Sequence, residues 1–109
     1  MSAAPKHDVY QAIADSSRRE MLMLLAKNDA SIKEISEHFT ISRTAIVKHL
    51  NVLSDANLVS DRKAGRSKIY CLQPEQLAEV KEWVSYFEQF WDNKLSMLRH
   101  MVETDSSEE

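Results

Sequence analysis

Apolar residues recur at steps of three and four near the start of the chain, in two adjacent segments. Such spacing is typical of helices that bury one face. The apolar positions are Val9, Tyr10, Ile13 and Ala14 in the first segment and Met21, Leu22, Leu24 and Leu25 in the second. Ser17 and Glu20 have the three-residue spacing of a capping box. The pattern predicts a short first helix that ends near Asp15 and a core helix from Ser17 to about Asn28.

Two helices joined by a tight turn are predicted next. Ser31 and Glu34 repeat the capping-box spacing, and the apolar residues that follow fit a helix of barely two turns ending near Thr40. They are Ile32, Ile35 and Phe39. Ser42 is a candidate N-cap for the next helix, whose core face consists of Ile46, Leu50 and Leu53. This is a helix-turn-helix pattern, and its second helix can enter the major groove of DNA.

The opposite face of this second helix carries side chains suited to nucleic acid. They are Arg43, Thr44, Val47, Lys48 and Asn51. Arg43 can donate two hydrogen bonds to guanine, Val47 can contact a thymine methyl, and Lys48 suits a phosphate. A solvated helix face has a similar composition, so the spacing alone leaves both interpretations open.

A β-hairpin and a long helix complete the pattern. Leu58–Arg62 and Ser67–Leu72 are strand-like runs, and Gly65, the only glycine, falls at the tip between them, where turns often need a positive φ. Pro74 suits the start of a last helix that runs to about Val102. Its apolar stripe is too broad for so small a domain to cover, which predicts a partner surface. The stripe consists of Leu77, Val80, Trp83, Val84, Phe87, Phe90, Trp91, Leu95, Leu98 and Met101.

Charge is distributed unevenly along the 109 residues. The net charge is −3 at pH 7, yet residues 42–72 hold six cations against two carboxylates, a net +4, which leaves −7 for the remainder. A local basic surface on an acidic protein is consistent with DNA binding, and a merely soluble hairpin would have the same charge.

Composition excludes several classes of protein. One Gly and two Pro are too few for an all-β fold and leave no glycine-rich phosphate loop. No catalytic triad is identifiable, so the chain is not expected to be an enzyme. The longest apolar run, Met21–Ala26, is far shorter than the roughly 20 residues of a membrane span. A lone Cys71 and an N-terminus without a signal-type stretch make the cytoplasm the expected location.

Three segments resemble the winged helix-turn-helix repressors of the bacterial ArsR type. Ala12–Leu22 is similar to the family's ALADPTRREIL motif, with Ser16 in place of the proline. Ile41–Leu50 is similar to its LSQSAVSRHL recognition helix, and Leu53–Tyr70 to LxxAGLVxxRxxGRxxYY, with Asn57 in place of the glycine. The resemblance covers residues 8 to about 72. It implies a mainly α fold with a small β-hairpin wing in the order α-α-α-α-β-β-α. It also implies a homodimer that represses promoters, often its own, and that dissociates from DNA when an effector binds.

The resemblance and the apolar stripe together predict two sets of contact residues. The DNA-binding set is Ser42, Arg43, Thr44, Val47, Lys48, His49, Arg62, Lys63, Arg66 and Lys68. The dimerisation set is Val9, Ile13, Val80, Trp83, Val84, Phe87, Phe90, Trp91, Leu95 and Leu98. Two-fold pairing would place two recognition helices one duplex turn apart, roughly 34 Å, on an inverted-repeat operator.

The predicted organisation has one folded domain between two flexible ends. Residues 1–7 are expected to be flexible, 8–102 to form the winged helix-turn-helix domain with a dimerisation helix over about 74–102, and 103–109 to be an acidic disordered tail. An alternative hypothesis is a protein-interaction module that uses the basic hairpin and the long aromatic helix without binding DNA. Salt-dependent duplex binding separates the two.

No metal site or cofactor is predicted. The family's metal sensors place two thiolates on the short third helix, where this chain has Ser31 and Lys33. The last helix offers His100 and Glu103 as half of another ligand set, but Phe87 and Gln89 stand where the Asp and His would be. Cys71 is interpreted as a small buried hydrophobe. The effector, the operator and the regulated genes stay open.

Overall fold

The computed structural model describes residues 7–107, with side chains over 7–103. The chain divides into two units between Ala78 and Glu79, and each unit is described by itself. The elements in order are α1 (Val9–Ala12), α2 (Ser16–Lys27), β1 (Ala30–Ser31), α3 (Ile32–Ser36), α4 (Arg43–Asp55), β2 (Val59–Ala64), β3 (Ser67–Leu72), a 3-10 turn (Pro74–Gln76) and α5 (Leu77–Ser107).

The first two helices are capped by aspartates. The Gln11 amide donates to the Asp8 carboxylate at 2.8 Å, and the Asp8 amide donates to Gln11 Oε1 at 2.9 Å, which completes a capping box that the sequence analysis missed. At α2 the N-cap is Asp15, whose carboxylate accepts from the Arg18 amide at 3.1 Å. The predicted start at Ser17 is therefore wrong, because the Asp15 cap brings the chain into the helix earlier and leaves Ser17 inside the first turn.

Helix α3 is capped as predicted but is shorter. The Glu34 amide donates to Ser31 Oγ at 3.2 Å and the Ser31 amide to Glu34 Oε1 at 3.0 Å. The helix ends at Ser36 and not near Thr40, so Phe39 lies outside it.

A third strand accompanies the predicted hairpin. β1 pairs antiparallel with β3 through Ala30↔Tyr70 and Ser31↔Ile69, giving the sheet order β1-β3-β2. A strand of two residues shows no alternation in sequence, and its existence depends on the distant β3.

The core of the first unit lies between α2, α3, α4 and the sheet. The predicted α4 face is confirmed, because Ile46, Leu50 and Leu53 are completely buried. The Ala45 amide donates to Ser42 Oγ at 3.1 Å, which confirms Ser42 as the N-cap. The other fully buried large side chains are Met21, Ile35 and Leu58.

The hairpin has a two-residue turn at Gly65 and Arg66. Ala64 pairs with Ser67, and the φ of Gly65 is +65°. The predicted positive φ at the only glycine is therefore confirmed, and in a two-residue hairpin such values favour glycine. β3 has the predicted bounds, whereas β2 begins one residue later and continues two residues closer to the tip than predicted. The resulting three-stranded sheet with its basic tip is the wing that the resemblance implies.

The second unit consists of α5 from Glu79 onward. Edge-on aromatic contacts occur along the helix, with ring centroids 5.2 Å apart for Trp83 and Phe87 and 5.1 Å for Tyr86 and Phe87. The helix continues to Ser107, so positions 103–107 are helical where a disordered tail was expected; 108 and 109 lie outside the described residues, as do 1–6 of the expected flexible N-terminus. Within the described part of the chain, no helix is long and apolar enough to cross a membrane.

Candidate nucleic-acid interface

The N-terminal turns of α4 present a polar face to solvent. Ser42, Arg43, Thr44 and Lys48 are exposed, and Val47 is half-buried beside them. Ile46 and Leu50, which hold the helix in the core, are fully buried. Because core and polar positions occupy different faces, Arg43 and Thr44 are free to contact a ligand without loss of packing.

Four cationic side chains from three elements surround one surface concavity of about 270 Å³. Lys33 comes from α3, Arg43 from α4, and Arg66 and Lys68 from the hairpin. Ser31, Ile32 and Ser67 complete the lining, which contains no acidic residue. We call this concavity the basic cleft. Its charge and its position beside the exposed face of α4 suit a phosphate of a nucleic-acid backbone.

Lys33 lines the basic cleft but is absent from the DNA-binding residues predicted from the sequence. The resemblance marks it only as a position that lacks a thiolate. The signal that could have found it is a cation in the first turn of the helix that precedes the recognition helix, because this helix crosses the DNA backbone in helix-turn-helix proteins.

The cations of the wing differ in their ion-pair partners. Arg62 Nη2 lies 3.6 Å from Asp29 Oδ2, and Lys68 Nζ lies 4.0 Å from Asp61 Oδ2. Lys63 is exposed and faces Lys68 across the hairpin. Exposed ion pairs of this kind contribute little to stability, so Arg62 and Lys68 can exchange a carboxylate for a phosphate at low cost.

His49 differs from the other predicted DNA contacts in its surroundings. Its side chain is half-buried, and Nδ1 lies 3.3 Å from Arg18 Nη1 and 3.9 Å from Asp15 Oδ2. The structure therefore places His49 against the N-terminus of α2. Hydrogen bonds from the backbone amides of Arg18 and Ser17, together with the charge of Arg18, lower the pKa of Asp15, while partial burial opposes the shift.

A second, shallower concavity of about 440 Å³ lies along α4. It is lined by His7, Lys48, Asn51, Val52 and Asp55. The His7 amide donates to Asp55 Oδ2 at 2.6 Å, and His7 Nδ1 lies 3.1 Å from the same oxygen. His7, which was expected to belong to the flexible N-terminus, is bonded to the end of the recognition helix.

The predicted dimerisation residues fall into three groups by exposure. Val9 is only 4% exposed and belongs to the core of its own unit. Ile13, Val80, Val84 and Phe87 are half-buried. The exposed members are Trp83, Phe90, Trp91, Leu95 and Leu98. Near the end of α5, a concavity of about 480 Å³ is lined by Leu95, Leu98, Arg99, Val102 and Glu103.

The positions considered for metals and redox chemistry have other surroundings. Ser31 Oγ accepts the Glu34 amide at the start of α3, and no group of three His, Cys, Asp or Glu side chains suited to a metal ion occurs among the described residues. Cys71 is half-buried. Burial raises the pKa of the Cys71 thiol, the Asp29 carboxylate raises it further, and Arg62 lowers it. Reactive thiols have the opposite shift.

A helix-turn-helix with an exposed polar recognition face, a basic hairpin beside it and a cationic cleft between them defines a winged helix-turn-helix DNA-binding protein. Residues 15–61 match the family described as "Bacterial regulatory protein, arsR family". The chain is 37% identical over 89 residues to the transcriptional repressor SdpR of Bacillus subtilis (strain 168), covering 82% of this chain and 99% of that protein.

Two further comparisons agree with this match. The HTH-type transcriptional regulator Rv2034 of Mycobacterium tuberculosis is 31% identical over 99 residues, which cover 91% of this chain and 90% of that protein. The solved structure of an ArsR-like transcriptional regulator from Rhodococcus sp. RHA1 aligns with a TM-score of 0.69 and 30% identity, covering 88% of each chain.

The chain belongs to the arsR family of bacterial regulatory proteins. The resemblance and the winged helix-turn-helix fold expected from the sequence are thereby confirmed. The protein is a DNA-binding transcriptional regulator and not an enzyme, and the comparisons give no support to an interaction module that does not bind DNA.

Proposed function

We propose that the protein is a homodimeric repressor that recognises an inverted-repeat operator in its own promoter or a neighbouring one. The observation that carries the proposal is the basic cleft, in which Lys33, Arg43, Arg66 and Lys68 surround one concavity beside the exposed face of α4. The similarity to a relative named as a transcriptional repressor supports the direction of regulation.

Within this proposal the contacts have separate tasks. Arg43, Thr44 and Val47 contact base edges in the major groove, because they occupy the first turns of α4. Ser42, Lys48 and Lys33 contact phosphates on either side of the groove. Arg62, Lys63, Arg66 and Lys68 of the wing bind the adjacent backbone or the minor groove.

The homodimer follows from the exposed apolar side chains of α5. Trp83, Phe90, Trp91, Leu95 and Leu98 are each about half exposed or more. Large contiguous apolar patches are rare on monomers. Pairing with a second copy buries these side chains and presents two recognition helices to two half-sites. As a regulator of promoter DNA, the protein acts in the cytoplasm, where the chromosome lies.

Footprinting on DNA upstream of its own gene and of neighbouring genes tests the proposal. The expected result is protection of two half-sites about one helical turn apart, roughly 10 base pairs, with an affinity that falls steeply as salt rises. A scrambled duplex of the same length is the control and should bind more weakly. Absence of binding to any duplex at low salt would refute the proposal and favour the interaction module.

A further inference from the structure

Arg18 bonds to two helices besides its own. Its Nε donates to the Ala12 carbonyl at 2.7 Å and its Nη2 to the Gln11 carbonyl at 3.1 Å, at the C-terminal end of α1. Its Nη1 lies 3.3 Å from Nδ1 of His49 in the middle of α4. One guanidinium group at the start of α2 thus connects α1 to the recognition helix.

The chemistry of the Arg18–His49 pair determines the direction of the bond. Arginine has no hydrogen-bond acceptor, so a bond between these two atoms requires His49 to accept at Nδ1, in the tautomer that carries its proton on Nε2. His49 is only 21% exposed in its side chain, so water competes less for this bond than at the surface. Asp15 caps the same helix end by accepting the Arg18 amide at 3.1 Å, which fixes the backbone from which Arg18 extends.

The position of His49 on α4 separates it from the base-contacting face. Six residues at about 100° per residue place it roughly 120° around the helix axis from Arg43. A contact on this side of α4 controls rotation of the helix about its axis. A small rotation moves Arg43 and Thr44 relative to the bases, since both extend outward from the first turns.

We propose that Arg18 and His49 are positioning residues that fix the rotation of the recognition helix against α1 and α2. The inference rests on the proposed function, and it assigns His49 a role on the protein side in place of a DNA contact. Because the guanidinium also holds the carbonyls of Gln11 and Ala12, a change at the end of α1 is transmitted to α4 through Arg18.

Variants of the full-length protein separate positioning from direct contact. His49→Leu removes the acceptor, whereas His49→Asn keeps an acceptor near the Nδ1 position. Arg18→Lys keeps the charge but loses the planar fork that reaches three acceptors. We expect His49→Leu to lower affinity for the footprinted operator about tenfold, with binding to a scrambled duplex unchanged. His49→Asn should recover operator affinity to within about twofold.

A double-mutant cycle then tests the pair itself. In an Arg18→Met background, His49→Leu should have little further effect on operator affinity, because no donor remains at position 18 to bond Nδ1. Arg19→Lys is the matched control: Arg19 Nη1 donates to the Ile13 carbonyl at 2.7 Å, and the described contacts give it no bond to α4. Its operator affinity should equal that of the wild type. Far-UV circular dichroism verifies folding, and His49→Gln, which displaces the acceptor, replaces His49→Leu if the latter loses helix.

Three results would overturn the inference. Equal losses in His49→Leu and His49→Asn would mean that the imidazole itself contacts DNA. Additive losses in the double mutant would mean that Arg18 and His49 act independently. In both cases the wild type still binds its operator, so the proposed function stands. A wild-type protein that binds no duplex would refute the proposed function together with this inference.

Discussion

The Leu58 amide donates to the Leu53 carbonyl at 2.9 Å across the end of α4, and both side chains are completely buried. The Asn57 amide also donates to the Ser54 carbonyl, at 3.0 Å. These two bonds form a Schellman motif, in which the residue after the C-cap adopts a left-handed conformation. Asn57 has a φ of +60°, as expected for that position. The asparagine that stands where the resemblance has a glycine therefore adopts the left-handed conformation that favours glycine.

Substitution of Asn57 should raise or lower the free energy of unfolding according to how well the new residue tolerates this positive φ. Asn57→Gly should raise the free energy of unfolding by about 0.5 kcal/mol, because glycine adopts a positive φ without steric cost. Asn57→Ala should lower it by about 1 kcal/mol. Urea denaturation at equal protein concentration measures both changes. The neighbouring Ala56→Gly is the control: Ala56 has a φ of −86°, so glycine there should destabilise. Equal destabilisation by Asn57→Gly and Ala56→Gly would contradict this account.

Cations of the basic cleft and of the base-contacting face should respond differently to mutation. Lys33→Ala and Arg66→Ala should weaken binding to all duplexes alike. Each should also reduce the slope of the logarithm of the binding constant against the logarithm of salt concentration by about 0.9, because each removes one phosphate contact. Arg43→Ala should also lower discrimination at one base pair in each half-site by about 1 to 3 kcal/mol. Fluorescence anisotropy across a salt series measures both effects.

Lys27→Ala serves as the control for the same experiment. Lys27 is an exposed cation in the last turn of α2 and does not line the basic cleft. Its removal should leave the salt slope unchanged. If Lys27→Ala and Lys33→Ala had the same effect, net charge and not the basic cleft would account for DNA binding.

The sequence predicted the elements whose signals are local. Ser42 caps α4, Ser31 and Glu34 form a capping box, and Gly65 supplies the positive φ of the hairpin, and each needs only its neighbours in the chain. β1 was missed because Ala30 and Ser31 become a strand only when β3 lies beside them. The α2 start was misplaced since Asp15 and Ser17 are both good caps and the sequence does not rank them.

The candidate site was predicted in outline from the recognition helix and the hairpin. Lys33 could not be assigned to it, because its proximity to Arg66 and Lys68 arises from tertiary packing. The contacts of His49 could not be predicted from the sequence either. A histidine one residue after Lys48 resembles a phosphate ligand until α2 is seen to place Arg18 beside it.

Operator affinity should not depend on metal ions. The resemblance implies two metal sites, and this chain has Ser31 and Lys33 where one site would need thiolates and Phe87 and Gln89 where the other would need Asp and His. Stoichiometric zinc, cadmium, copper or arsenite should leave binding within twofold of its metal-free value, measured with and without a chelator. A response to metal that His100→Ala abolishes would contradict this prediction. It would show that His100 and Glu103 bind metal together with ligands other than those at positions 87 and 89.

Cys71 should be slow to oxidise at neutral pH. Because burial and Asp29 raise the pKa of its thiol, the thiol stays protonated until the pH exceeds that raised value, and only the thiolate reacts rapidly with peroxide. Mild peroxide should leave operator binding intact, and the mass of the peptide that contains Cys71 should not change. Reactivity should increase as the pH rises. A reversible loss of binding at pH 7 that Cys71→Ser prevents would show a thiol switch instead.

Assembly should depend on the apolar side of α5. Trp91 is 49% exposed, with exposed Leu95 and Leu98 one and two turns further along the helix. Burial of such side chains stabilises a pair of helices by roughly 25 cal/mol for each Å² removed from water. Trp91→Asp places a charge among them, whose desolvation opposes pairing. We expect monomers in analytical ultracentrifugation, together with a large loss of operator affinity, because one recognition helix alone reads only one half-site.

Ser96→Asp is the matched control for the assembly prediction. It adds the same charge five residues away, where rotations of about 140° from Trp91 and about 120° from Phe90 place it on the other side of α5, and Ser96 is exposed. It should remain dimeric and retain operator affinity. Both variants have a net charge of −4 at pH 7, against −3 in the wild type. A difference between them therefore reports where the charge lies and not the change in net charge. A wild-type protein that sediments as a stable monomer at micromolar concentration would refute the homodimer, as would a Trp91→Asp protein that sediments like Ser96→Asp.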